Sequence, residues 1–190
     1  MEEQSAKYQV TGMAAFQRYS LETQVPNEIT VFNTVLSGKR TIAGLSFVFI
    51  RVAPERLGGD ELFSITTETG TPISISISSL PRTLLDAVYD YEIFGTIPRA
   101  YSWIASKQSD RNTIRKLVEM TLAYGNVGTK RRLGYVLDSL KVNPRWLNKL
   151  RAAIPRATSL IPLIPGKPAR GFLDRKWGVI VNGEIPALAT

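Results

Sequence analysis

The sequence predicts an α+β protein, with a mixed β-sheet from the N-terminal half and a C-terminal strand, packed with a helical bundle over about residues 80–155. Three observations lead there. Residues 29–78 hold short runs in which branched and aromatic residues alternate with polar ones, the period-two pattern of half-buried strands. Residues 80–154 repeat apolar positions at i, i+3, i+4 and i+7, the period of a helix. The stretch Lys176 to Val181 (KWGVIV) returns to strand composition and closes on Asn182-Gly183. No internal repeat or low-complexity tract interrupts this order, so the 190 residues read as one domain. Within it, 1–78 is mostly β, 79–156 is helical, and 157–190 is a proline-rich tail that returns as a strand.

Taken in order, Thr11 reads as the cap of a short helix through Tyr19, carrying Met13, Ala14 and Phe16. Ile29 to Asn33 and Leu45 to Val52 are strands, with Ser37-Gly38-Lys39 marking the turn region between them. Leu62 to Thr66 is a third. Ile73, Ile75 and Ile77 alternate with Ser74, Ser76 and Ser78, a strand with a serine face toward solvent. A helix then runs over Leu80 to Tyr89, with Pro81 in its first turn and Leu84, Leu85 and Val88 as its stripe. Others follow at Pro98 to Ser106, at Asp110 to Tyr124 before Gly125, and at Thr129 to Leu140. The last is capped by Asn143, with Pro144 at its first position and Trp146, Leu147, Leu150 and Ile154 inward.

The chain has no cysteine and no histidine. That removes disulfides, thiolate nucleophiles, Cys/His zinc sites and imidazole bases together. No apolar run reaches the roughly 18 residues of a membrane span. The acidic start, Met1-Glu2-Glu3-Gln4, is unlike a secretory leader, so a cytoplasmic protein without a membrane partner is expected. Gly125-Asn-Val-Gly-Thr-Lys130 superficially suggests a phosphate-binding loop, but lysine does not follow the second glycine directly and a helix, not a strand, precedes it. Asp86 and Asp90 share a helix face, and Asp60-Glu61 follow a Gly-Gly pair. Neither set makes an acid/base constellation, so no enzyme activity and no cofactor are expected, with a hydrolase the weakest alternative.

Charge is the stronger signal. Residues 1–98 carry 7 basic and 11 acidic residues, whereas 99–190 carry 17 and 5. Such asymmetry points to an anionic partner for the second half. With Thr129 as cap, Lys130, Arg131 and Arg132 fall in a first helical turn, where cations oppose the helix dipole by roughly 0.3–1 kcal/mol each. Either an anion docks there, or the side chains stack or pair with acids of the first half. Lys141, Arg145, Lys149 and Arg151 continue the basic run, and Arg156, Lys167, Arg170, Arg175 and Lys176 extend it. The candidate nucleic-acid contacts are therefore Lys130, Arg131, Arg132, Lys141, Arg145, Lys149 and Arg151. Trp146 reads first as core, second as a base-stacking platform.

Four stretches together resemble the AbiEi family of antitoxins. They are Tyr8 to Phe16 (YQVTGMAAF) with Leu21 to Pro26 (LETQVP); Ser79 to Tyr89 (SLPRTLLDAVY); Tyr124-Gly-Asn through Lys130 to Leu137 (KRRLGYVL), followed by Asp138; and Trp177 to Asn182 (WGVIVN). The second resembles the family's E-R-T-L-L-D-x-L helix, with Pro81 in place of the acid, and the third its R-L-G-Y-L-L-E helix. The resemblance implies the antitoxin of a type IV toxin–antitoxin system in abortive-infection phage defence, countering a cognate nucleotidyltransferase-type toxin without necessarily binding it. Family members usually carry an N-terminal winged helix-turn-helix, and this chain begins where that module would end. The competing expectation is a stand-alone nucleic-acid-binding transcriptional regulator.

Overall fold

A computed structural model describes residues 7–67, 69–155 and 159–185. It shows an α+β fold with a six-stranded mixed sheet, a three-stranded sheet and seven α-helices among those residues. They group into two compact units, Met1–Thr83 and Leu84–Thr190. None of the described helices is long and apolar enough to cross a membrane.

The first unit is built on strands β1 (Tyr8–Thr11), β2 (Glu28–Asn33), β3 (Gly38–Ile42), β4 (Leu45–Arg51), β5 (Asp60–Thr66) and β6 (Pro72–Ser78), in the order β3-β4-β2-β1-β6-β5. Its short helix α1 (Met13–Arg18) buries Ala15 and Phe16. Thr11 is not the cap of that helix. It ends β1, paired with Thr30, and Gly12 makes the turn at φ 64, a left-handed conformation that glycine adopts without a Cβ penalty. The expected turn at Ser37-Gly38-Lys39 runs instead into a strand. β3 pairs with β4 through a two-residue loop, Ala43-Gly44, with both residues at positive φ (49 and 78), the twist that hairpins favour.

Burial in β6 does not alternate as the Ile/Ser pattern suggested; it runs along the strand. Ile73 is 45% exposed, while Ile77 and Ser78 at the other end are both buried. Ser78 sits where β6 meets β1, and its hydroxyl accepts a hydrogen bond from Gln9 Nε2 at 2.7 Å. The Gln9 side-chain oxygen in turn accepts from the Gly58 amide at 3.0 Å. The same loop is gripped from helix α2 (Leu80–Tyr89). Arg82 is fully buried, and its guanidinium donates to the carbonyls of Gly58 and Arg56, each at 2.6 Å. A buried guanidinium demands such partners, because desolvating its charge without them costs several kcal/mol.

The second unit holds the helices α3 (Tyr91–Phe94), α4 (Arg99–Ser106), α5 (Arg111–Tyr124), α6 (Val127–Ser139) and α7 (Pro144–Ala152), and strands β7 (Ile161–Pro162), β8 (Phe172–Asp174) and β9 (Val179–Val181). The closing strand does not join the N-terminal sheet. β9 lies between β7 and β8 in its own three-stranded sheet. β8 and β9 are joined by only residues 175–178, so the closure entropy of pairing locally is small. Asn182 ties the proline-rich segment to it, donating to the Ile164 carbonyl and accepting from the Ile164 amide, both at 2.9 Å.

Helix α6 is the centre of this unit. Leu133, Val136 and Leu137 are fully buried. So is Trp177, whose six-membered ring packs against Gly134: a Cβ there would stand 2.1 Å from the indole. Burying an indole this completely is worth roughly 4–6 kcal/mol of transfer free energy. Its N–H donates to Asp138 Oδ2 at 2.8 Å, one helical turn beyond Gly134. Lys176 pairs with the same carboxylate at 2.6 Å. Tyr101 of α4 donates its buried hydroxyl to the Leu163 carbonyl at 2.7 Å, and burial pushes its ionisation far above the usual tyrosine value.

Candidate nucleic-acid interface

The seven basic residues singled out from sequence divide into three groups. Helix α6 begins three residues earlier than a Thr129 cap implies. Asn126 is its cap, its side-chain oxygen accepting from the Thr129 amide at 2.8 Å. Lys130, Arg131 and Arg132 therefore lie in the second turn. The charge–dipole conflict largely disappears there, because the dipole acts within the first turn.

Arg131 and Arg132 point inward, 6% and 9% exposed. Arg131 Nη1 donates to the Ser159 carbonyl at 2.9 Å, and Arg132 Nε to the Pro162 carbonyl at 3.2 Å. The Arg132 guanidinium also lies 5.2 Å from the Tyr91 ring centroid. These two side chains pin the segment that leads into β7 onto α6. Among the described residues their partners are backbone carbonyls and an aromatic ring of their own unit. Lys130 is half-buried, and its ammonium has no hydrogen bond or ion pair among the described residues.

Lys149 and Arg151 are exposed in the last turn of α7, where cations are favoured by the helix dipole. Lys141 and Arg145 lie elsewhere, at the turn from α6 into α7. That turn forms one wall of a cleft of about 860 Å³, within the size range of small-ligand sites. Lys141, Val142, Asn143, Pro144 and Trp146 line this wall; the start of α5 supplies the other, with Gln108, Arg111, Asn112 and Arg115. Arg145 stands between two lining residues and is exposed. Arg156 lies outside the described residues.

Local chemistry fixes both walls. Asp110 caps α5, accepting from the amides of Asn112 at 3.1 Å and Thr113 at 3.0 Å and from the Thr113 hydroxyl at 2.7 Å. The Thr113 hydroxyl and amide bonds hold the Asp110 carboxyl below its ordinary value, with Asn112 adding to them. Asn143 caps α7 through the Arg145 amide at 3.0 Å, and Pro144 fills the first helical position as expected.

No carboxylate lines the cleft among the described residues. Arg111, Lys141 and Arg145 have no side-chain hydrogen bond or ion pair there. Arg115 is partly engaged on the helix surface with Glu119 at 2.7 Å and Asn112 at 3.0 Å. Trp146 is half-buried and leaves the buried stripe of Leu147, Leu150 and Ile154 to line the cleft. Arg111 and Arg115 escaped the sequence reading. Their i, i+4 spacing behind an Asp cap was the available signal, since it places both on one exposed face.

A second cleft, of about 690 Å³, is lined by Asp90, Glu92 and Arg132 with Asn126, Val127 and Gly128. Its two carboxylates repel a polyanion. Asp86 is fully buried and cannot meet a substrate, and no three acidic side chains converge as a metal site needs among the described residues.

No family model matches the chain, and no curated protein matches it. Among solved structures it is similar to the crystal structure of RV2827C protein from Mycobacterium tuberculosis, at a TM-score of 0.53 and 15% identity. The similarity covers 93% of this chain and 63% of that one, so this chain spans somewhat under two thirds of its neighbour, and what the two share is the fold.

Proposed function

We propose that the protein is an AbiEi-type antitoxin that counters a nucleotidyltransferase-type toxin in the cytoplasm and has nucleic-acid affinity through its second unit. One observation carries the reading. Two of the stretches that resemble the family, KRRLGYVL with Asp138 and WGVIVN, lie some forty residues apart and meet at a single point: Gly134 leaves room for the Trp177 ring, and Asp138 holds its N–H at 2.8 Å. A third stretch supplies Arg82, buried on two carbonyls at 2.6 Å. Residues from separate resembling stretches thus pack against one another, which supports a shared architecture over chance similarity of short motifs.

The nucleic-acid part rests on the cation-lined cleft. Exposed cations without carboxylate partners attract phosphate, and such contacts give affinity without sequence choice. The same cleft favours a second reading, a stand-alone nucleic-acid-binding regulator. Co-expression with the product of the neighbouring gene separates them. An antitoxin restores growth to cells poisoned by that product; a regulator unconnected with toxicity leaves them poisoned.

A further inference from the structure

We infer that the cleft between α5 and the α6–α7 turn binds single-stranded nucleic acid, with a base stacked on Trp146 and phosphates held by Arg111, Arg115 and Lys141. The inference rests on the proposed nucleic-acid affinity and names its form. Three observations converge on it.

The cleft joins an aromatic ring to cations on both walls, with no carboxylate lining it. A flat apolar face beside separated positive charges matches a nucleotide, which offers a base plane beside a phosphate. A duplex keeps its base faces inside its own stack, so only an unpaired or extruded base reaches Trp146.

The indole N–H of Trp146 has no hydrogen-bond partner among the described residues. Its ring is half-buried and lines the cleft, so it is not needed to complete the core. Leu147, Leu150 and Ile154 already supply the buried stripe of α7 and its end.

Lys141 adopts the left-handed conformation, φ 54, just past the end of α6. That position usually holds glycine or asparagine, because other residues are disfavoured there by the Cβ. This sequence has a lysine there instead, and the turn sets it in the cleft wall. Strain of this kind at a site is a reason to look for a functional use of the side chain.

Lys141 provides a test that loss of fold cannot imitate. Lys141→Gly relieves the left-handed strain, so thermal stability should hold or rise, while strand affinity should fall. The assay is fluorescence anisotropy of the intact protein with a labelled mixed-sequence 12-nucleotide RNA, the DNA of the same sequence, and its duplex. The single strands should bind at least about ten-fold more tightly than the duplex. Trp146→Leu should weaken single-strand binding roughly ten-fold, as loss of one stacked base does. Lys141→Gly and Arg111→Gln should each weaken it several-fold at unchanged or higher melting temperature. With three phosphates held, log affinity should fall against log salt with a slope of about −2. Whichever of RNA and DNA binds more tightly identifies the strand the cleft takes.

Equal binding of duplex and single strands, Trp146→Leu binding as the parent does, or no oligonucleotide binding at low salt would each overturn the inference. Growth rescue without strand binding removes this inference and leaves the antitoxin reading standing. Strand binding without rescue does the reverse.

Discussion

Single residues carry much of this architecture. Gly134 leaves no room for a Cβ, because the indole of Trp177 occupies that space, 2.1 Å away, in a packed interior. Gly134→Ala should therefore destabilise the protein by about 2–3 kcal/mol in urea unfolding, although alanine has the higher helix propensity. An unchanged or raised midpoint would show that the ring can move aside. Arg82 makes the complementary case. Arg82→Met keeps the apolar stem but leaves the Gly58 and Arg56 carbonyls unanswered, and a loss of roughly 3 kcal/mol is expected by the same measurement. A near-neutral result would mean that water reaches those carbonyls. Residue type alone revealed neither role. A buried arginine and a surface arginine read alike in sequence, and Lys130-Arg131-Arg132 looked like a surface run although two of the three face inward. Only the path of the segment around Ser159 and Pro162, which brings carbonyls to them, distinguishes the two cases.

At the scale of elements, features set by near neighbours were legible in part: Thr11 and Thr129 read as caps, whereas Gly12 and Asn126 hold those positions. Asp110, Asn143, Pro144 and Gly125 mark helix ends as the sequence suggested, since a cap bonds within three residues of itself. β1 and β3 were not legible. β1 is four residues long and takes its character from partners far along the chain, β2 and β6. β3 is an exposed edge strand of mixed composition, entered through an Ala-Gly turn instead of the usual Asn-Gly. The α5 cap also predicts a pH response. The folded-state carboxyl of Asp110 ionises below its ordinary value of 3.8, so its charge stabilises the fold above that value. The contribution is lost as pH falls through the depressed folded value. Asp110→Asn preserves a cap but removes the charge. The variant should be less stable than the parent at pH 7, and the gap should narrow below pH ~4 as the parent carboxyl protonates. A gap that stays constant from pH 7 to pH 2.5 would show that the charge has no part in capping.

For the whole molecule, periodicity indicated the α+β class and charge the basic second half, while strand pairing was beyond both. The closing strand has the right composition to extend a sheet, and nothing in Val179 to Val181 says which sheet. Short connections and Asn182 assign it to β7 and β8. The candidate site was half legible for a related reason. Lys141, Arg145 and Trp146 were visible as a basic run with one aromatic, but the opposite wall comes from α5, some thirty residues earlier. We propose that this fold, with its interlocked Gly134, Asp138 and Trp177, serves as an antitoxin, and growth rescue tests that proposal most directly. The neighbouring gene product is first shown to arrest growth when expressed alone, and the protein is then induced with it. Restored growth is expected with the parent, and reduced rescue with Gly134→Ala in proportion to its lost stability. Continued arrest, with the parent protein folded and abundant in the same cells, would contradict it.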